Sequence, residues 1–409
     1  MLKAEFPSDQ PGAVVLIARH DTVLYRRAFG LADVAAAVPL REDMIFQVAS
    51  ITKQFTGAAI MQLAEKQKLS IADPIQKYID YFPDKGYPIT IENLLDQTSG
   101  IPDYFDIDES EYHLLTKAHT PRELIDYFKD RKLDFEPGTA FAYSNSNYVL
   151  LGAVIEKVSG LTYAEYMSEF VFKPMALNNT SVWYNPSTSP ERIAQGYSFK
   201  NGSYTPSRVL VGSVVYSSGG IVSTVDDLFK WTMRFIKERK EKFSMPGYHY
   251  GLNVRQLQGR PTIQHGGNLF GFTSSGIYLP SEDVYVCILS NVAFRGTEEL
   301  ADYVASEIIG KPLMYEPKPK NTGSGIEEYT GVYTLQNTTR KMKVVIVSNI
   351  LVLTFPDQPG SAADVAPIGK DQFESKKIKA KLTFIRDASE RITSVEVKQG
   401  KTYTWEKEK

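Results

Sequence analysis

Apolar and polar positions along this chain change their period three times. Ala13-Val14-Val15-Leu16-Ile17-Ala18 and the run from Val23-Leu24-Tyr25 to Phe29 are short and β-rich, so the spacing predicts a hairpin turning at His20-Asp21. Residues 31–41 are small and read as a loop. Ile51, Phe55, Ala58, Ala59 and Leu63 then recur at helical spacing within 51–69. A break at 69–74 precedes a short helix to Tyr81. Thr90 with Asn93 has the form of a helix start, and Thr120-Pro121 with Glu123 is a clearer one. Helical spacing resumes over 147–158, stopping at Gly160, and over 161–170, beginning at Thr162. Ser217-Ser218-Gly219-Gly220 reads as a glycine loop, and Thr224 as the cap of a helix over 225–236. From Thr262 strands return, over 262–265, 274–279 and 284–291, before a last amphipathic helix over 296–309. Strands at both ends with helices between suit one antiparallel sheet built from both ends of the segment, an α+β architecture with a helical insertion.

Beyond residue 310 the pattern changes. Residues 311–325 are rich in Pro, Lys and Gly and read as a linker. Short alternating runs at 342–347, 350–355, 372–374, 381–385, 392–397 and 403–405 follow, with no helical period, which predicts a small all-β barrel or sandwich. The expected division is a domain over 1–310, the linker, and a β domain over 326–409.

The 409 residues suffice for one large domain and a smaller one, and 43% hydrophobic content is that of a globular protein. A net charge of −2 excludes an electrostatic nucleic-acid binder, because phosphate contacts need clustered cations. The short basic clusters, Lys237 to Lys242 and Lys376 to Lys381, read as solvated faces. The single Cys287 excludes an internal disulfide and a cysteine metal cluster, and its apolar surroundings place it in a buried strand. No apolar run has the length of a membrane span, and no signal peptide is visible at Met1-Leu2-Lys3-Ala4-Glu5-Phe6.

Ser50 and Lys53 form the one Ser-x-x-Lys of the chain. On a helix they share a face, and an amine beside a serine at a helix N-terminus is a nucleophile–base arrangement. Read alone, the serine is more simply a cap. Tyr143-Ser144-Asn145, after a Pro-Gly turn, offers a phenol whose ionised form a lysine ammonium would favour, and an amide with an acceptor for Lys53 and donors for a substrate carbonyl. His265-Gly266-Gly267-Asn268 ends a strand on a histidine followed by two glycines, which lets a ligand approach the backbone. A backbone N–H there, opposite that of Ser50, would form an oxyanion hole. The remaining histidines, His20, His113, His119 and His249, show no partners in sequence.

In the order Ser-x-x-Lys, Tyr-x-Asn, His-x-Gly, residues 11–309 resemble the serine β-lactamase and penicillin-binding-protein superfamily, in its branch of class C β-lactamases, D-alanyl-D-alanine carboxypeptidases and esterases. The context of Ser50, the segment Leu95-Asp96-Gln97-Thr98-Ser99-Gly100-Ile101 and the segment Ser218 to Thr224 share the likeness. Residues 326–409 are similar to a lipocalin-like barrel through Tyr329-Thr330-Gly331-Val332-Tyr333. The resemblance implies Ser50 as nucleophile, Lys53 and Tyr143 as the coupled proton-transfer pair, Asn145, His265 and Gly267 in substrate binding, and the amides of Ser50 and Asn268 around the oxyanion. His265 would polarise Tyr143 or touch the substrate. Two departures stand out. The third motif carries His265 where lysine is usual, and a largely neutral histidine binds a carboxylate less well. Asp96-Gln97 replaces the usual Thr-His, in a loop read as structural.

The implied reaction is acyl transfer from an ester, amide or lactam, with peptidase, β-lactamase and esterase as rivals and a non-hydrolysing penicillin-binding sensor as the reading from another class. No cofactor and no metal is implied. The expected partner is a small molecule or short peptide, β-lactams included, with no nucleic acid and an open oligomeric state. The resemblance implies a periplasmic or secreted protein, with a cytoplasmic one as the alternative.

Overall fold

The computed structural model describes residues 1–105, 117–183, 192–200, 203–207, 211–292, 296–314, 326–338, 340–347, 350–355, 363–375 and 378–408. His113, Tyr184, Lys376, Lys377 and residues 315–325 of the expected linker lie outside them. The chain forms two compact units, Met1–Tyr197 with Pro206–Tyr315, and Ser198–Thr205 with Glu316–Lys409.

The first unit is built on a seven-stranded sheet in the order Gly247–His249, Leu252–Leu257, Arg260–Leu269, Phe272–Leu279, Val284–Ser290, Ala13–Arg19, Thr22–Phe29. All neighbours are antiparallel, and Ala13 to Arg19 pairs with Ser290 to Val284, which joins the two ends of the unit as the pattern predicted. His20 and Asp21, with φ of 49° and 61°, make the tight turn of the first hairpin. Val284–Ser290 is buried along its whole length because the sheet is covered on both faces. One face packs Val15, Ile17, Val286 and Ile288 on Leu300, Ala301 and Val304 of the helix Thr297–Ile308. The other packs Val14, Leu16, Cys287 and Leu289 into the core of the helical layer.

The centre of that layer is the helix Thr52–Glu65, of which only three residues escape burial. An apolar helix without a solvent face belongs in a core, so a lysine in its first turn is carried into the interior. The helix starts at Thr90 and Thr120 form capping boxes with Asn93 and Glu123.

Three local expectations are corrected and one is refined. The loop over 31–41 contains a two-stranded ribbon, Leu31–Asp33 with Val38–Pro39, closed by Ala37 at φ 50° and by Ala36 N–H donating to Asp33 Oδ1 at 3.0 Å. Ser217 to Gly219 belong to a helix, Gly212–Gly219, broken at Tyr216. The helix over 225–236 keeps its expected span and its Thr224 cap, α-helical over Val225–Trp231 and a π turn over Thr232–Ile236. The strand carrying His265 does not stop there: it runs to Leu269, because Gly266 and Gly267 keep their pairing with Ser275 and Ser274.

In the second unit, eight antiparallel strands close into a barrel, with Gly331–Leu335 pairing both Lys341–Val347 and the last strand, Lys401–Lys407. Gly331–Leu335 and Ala363–Gly369 add to the six expected runs, and closure removes the exposed edges that an open sheet would leave. Tyr333, Leu353, Leu382, Phe384 and Trp405 fill the interior.

Candidate active site

Ser50 sits in a 3-10 turn, Ala49–Ile51, that leads into the helix Thr52–Glu65. Ala49 holds a φ of 50°, a left-handed conformation that costs a non-glycine residue about 1–2 kcal/mol and persists only where neighbours enforce it. Here they do. Val48 N–H donates to Ile221 O at 3.1 Å, and Val48 O accepts Ser274 Oγ at 2.8 Å. Gly267 packs so closely on this turn that an ideal β-carbon would lie 2.5 Å from Val48 O. The strand and the Ser50 turn can meet only through a glycine.

Lys53 is 0% exposed, and its Nζ reaches three acceptors: Ser50 Oγ at 3.1 Å, Asn145 Oδ1 at 2.7 Å and Ser218 O at 2.8 Å. Ser217 and Ser218 follow the break at Tyr216 (φ 37°, ψ −130°) in the last turn of the helix Gly212–Gly219, where carbonyls have no partner within the helix. Ser217 O accepts Thr56 Oγ1 at 2.7 Å, one helical turn beyond Lys53. Burial disfavours the ammonium and brings the Lys53 pKa down to about 7, against an opposing pull from the Asp103 carboxylate.

Tyr143 Oη donates to Ser50 Oγ at 2.8 Å, and Lys53 Nζ lies 4.8 Å from the centre of its ring. The sequence suggested a phenolate favoured by the lysine. The structure reverses this: burial of the hydroxyl pushes its pKa well above the usual phenol value, with the Asp103 and Glu298 charges adding to the rise. The residue as a whole is 38% exposed.

The Tyr143 loop hangs on Gln97, a fully buried residue with φ 61°. Gln97 Oε1 accepts Ser144 N–H at 3.0 Å and Asn147 Nδ2 at 2.5 Å, and Gln97 O accepts Ala142 N–H at 3.1 Å. Asn145 opens the helix Asn145–Ser159, and its Nδ2 donates to Asp103 Oδ2 at 2.8 Å. Neither Gln97 nor Asp103 was marked as a site residue in the sequence. The dense polar run from Asp96 to Asp103 was the available signal, but its partners lie some 42 to 50 positions away.

His265 lies beside Tyr143, with ring centroids 6.3 Å apart, but its nitrogens are engaged elsewhere. Nδ1 faces Gly266 O, an acceptor, so it carries the proton; Nε2 then accepts from Tyr248 Oη at 2.9 Å. Burial and the nearby Lys53 lower its pKa to about 3, so the ring is neutral. Hairpin closure at Leu269↔Phe272 and Leu257↔Arg260 fixes the alternation of the strand. Gly266 and Asn268 therefore direct their backbone groups toward the side where pairing with Leu252–Leu257 ends at Gln264. Two histidines left unpartnered in sequence have acidic neighbours: His20 Nδ1 lies 3.4 Å from Asp283, and His249 Nδ1 lies 3.6 Å from Asp96.

Ser50, Lys53, Tyr143 and Asn145 thus share one hydrogen-bonded cluster, with His265 and Gly267 on the strand beside it and Asn268 just beyond. Among the described residues no group of three or more His, Cys, Asp or Glu side chains could hold a metal ion, and no helix is long and apolar enough to cross a membrane.

A family model described as Beta-lactamase matches residues 4–311. Penicillin-binding protein 4* of Bacillus subtilis (strain 168) is 30% identical over 369 residues, covering 81% of this chain and 81% of that protein. The protein flp of Staphylococcus aureus (strain MRSA252) is 27% identical over 73% of this chain, which spans only 63% of that relative's length. Among solved structures, the octameric penicillin-binding protein homologue from Pyrococcus abyssi matches with a TM-score of 0.68 at 25% identity, over 97% of this chain and 96% of that one.

Proposed function

The chain belongs to the β-lactamase family of penicillin-binding-protein-like serine hydrolases, and from that premise we propose that Ser50 forms an acyl-enzyme with an ester, amide or lactam carbonyl. The observation that carries the reading is the placement of an amine and a phenol within hydrogen-bond reach of the same serine oxygen. Tyr143 donates to Ser50 Oγ and holds its own proton tightly, while Lys53, with a pKa of about 7, sits 3.1 Å away on the other side. A hydroxyl accepting from a phenol has its one proton left for the amine.

Ser50 Oγ attacks the carbonyl carbon and its proton passes to neutral Lys53. The amides of Ser50 and Asn268 hold the oxyanion, a role carried over from the family geometry. On collapse the bond to the leaving group breaks, and the leaving alcohol or amine takes the Tyr143 proton. The phenolate so formed faces the Lys53 ammonium. Water then gives a proton to Tyr143 as it attacks the acyl carbon, and Ser50 departs with the proton on Lys53. Both groups return to their starting states.

His265, held neutral, supplies no positive charge for a substrate carboxylate. Phe141, Tyr143 and Tyr248 cluster beside it, with centroids about 6 Å apart. These features support ester or D-amino-acid peptide and amide substrates over carboxylate-bearing antibiotics. Within the proposal, residues 1–310 form the hydrolase, 311–325 the linker and 326–409 the barrel. The test is parallel turnover of p-nitrophenyl acetate, a D-alanyl peptide and nitrocefin. Hydrolysis of the first or second well above the third supports the reading. Efficient nitrocefin hydrolysis would make it a β-lactamase, and saturable binding without product a sensor.

A further inference from the structure

We propose that Asp103 is the positioning residue that decides which end of the Asn145 amide faces Lys53, an inference that rests on Ser50 being the acylated residue. A carboxamide has a donor end and an acceptor end of nearly equal shape, so its orientation is set by what surrounds it. Asp103 Oδ2 accepts both Asn145 Nδ2 at 2.8 Å and Asn145 N–H at 3.2 Å. A carboxylate accepts only, so the NH2 end is fixed on it and Oδ1 is left pointing at Lys53 Nζ, 2.7 Å away. Turned over, the amide would set its oxygen against the carboxylate and its NH2 against the amine, losing both bonds.

Asp103 is itself held in place. Its Oδ1 accepts Phe105 N–H at 3.0 Å, and its carbonyl accepts Arg131 Nη1 at 3.2 Å. The residues on either side are stitched to the same helix, Ser146 Oγ donating to Pro102 O at 2.7 Å and Tyr104 N–H donating to Ser146 Oγ at 2.9 Å. Ser144, the capping position of that helix, makes no side-chain capping bond, and the Asp103 carboxylate serves the first amide in its stead, where the helix dipole favours negative charge. With Asn145 Oδ1 and Ser218 O as two fixed acceptors for Lys53, the third direction of the amine is the one toward Ser50. The charge of Asp103 also opposes the loss of the Lys53 proton.

The test compares Asp103→Ala, Asp103→Asn, Asn145→Ala and the Asp103→Ala/Asn145→Ala double variant, with melting temperature recorded for each. The first readout is the rate of Ser50 labelling by a fluorophosphonate as a function of pH. The second, independent of turnover, is the titration of the Lys53 side-chain 13Cε resonance, assigned by its loss in Lys53→Arg. Asp103→Ala is expected to slow labelling about 10–100-fold, as misplacement of a reacting group does. Because Asp103 acts through Asn145, the double variant is expected to be no slower than Asn145→Ala. Asp103→Asn, which keeps the shape and removes the charge, is expected to move the Lys53 midpoint to lower pH. Additive losses in the double variant, or a Lys53 midpoint and labelling rate unchanged in Asp103→Asn, would overturn the assignment. Wild-type protein that is not labelled at Ser50 sinks the hydrolase reading instead, and the Lys53 midpoint still decides for or against Asp103.

Discussion

Lys53 donates to the carbonyl of Ser218 across 2.8 Å, and Ser218 follows the kink at Tyr216 in the last turn of the helix Gly212–Gly219, where carbonyls have no partner within the helix. A helix end far along the chain thus supplies one of the acceptors that orient the buried amine. Gly152 shows how tightly the kink is held, since an ideal β-carbon there would lie 2.1 Å from Ser217 Oγ. Gly152→Ala is expected to push this segment off the Lys53 helix, lowering kcat with little change in KM. Steady-state kinetics on an ester substrate check this; a change confined to KM contradicts it.

The pH dependence follows from Lys53. In the proposed reaction the neutral amine takes the Ser50 proton, and its pKa is brought down to about 7, so kcat/KM should rise with pH through that value and then level off. Tyr143 holds its proton far above this range and must keep it for the leaving group, so no fall is expected up to pH 9. His265 is neutral from far below the window and adds no second limb. A profile of kcat/KM from pH 5 to 9 that shows two ionisations, or none, counts against the assignment. Lys53→Arg retains the charge but cannot lose a proton, and should lower activity at least about 100-fold.

Tyr143→Phe separates proton donation from nucleophile activation. A p-nitrophenolate leaves without a proton, whereas an amine does not. The loss should therefore be about 10–100-fold larger for an amide than for a p-nitrophenyl ester with the same acyl group. Equal losses for both substrates would place the role of Tyr143 elsewhere.

Gln97→Ala removes the acceptor shared by the Ser144 amide and Asn147 Nδ2 in a fully buried place. Unsatisfied buried donors cost about 1–3 kcal/mol each. Urea denaturation should show a loss of that order, together with a fall in kcat, because the same residue anchors the loop that carries Tyr143. Unaltered stability would mean that the loop is held by other contacts.

Gly267→Ala places a methyl group where the Val48 carbonyl and the Ala49 side chain already stand. Both neighbours belong to the turn that presents Ser50. The strand must shift, and acylation of Ser50 should fall about 100-fold while the far-ultraviolet circular dichroism remains that of the wild type.

What the sequence made legible was local chemistry and period. The hairpin at His20-Asp21, the capping boxes at Thr90 and Thr120, and the linear motifs at Ser50, Tyr143 and His265 each carry their signal within a few residues. What it hid were relationships made across the chain. Gln97 and Asp103 act on residues some 42 to 50 positions ahead, and no short window contains both partners. Ser217 to Gly220 has a loop-like composition, yet the carbonyls of Ser217 and Ser218 are claimed by Thr56 and Lys53 from another helix, and that tertiary demand overrides propensity. The sign of the Tyr143 shift was missed for a related reason. Sequence placed a lysine beside it but could not show the desolvation of the two groups, which moves their pKa values in opposite directions.

The account stands most directly on Ser50. Intact protein exposed to a fluorescent fluorophosphonate and to a fluorescent penicillin, then digested and read by mass spectrometry, should carry the adduct on the peptide containing Ser50, and the Ser50→Ala variant should carry none. An adduct that persists in Ser50→Ala, or that maps to another residue of the wild type, would contradict it.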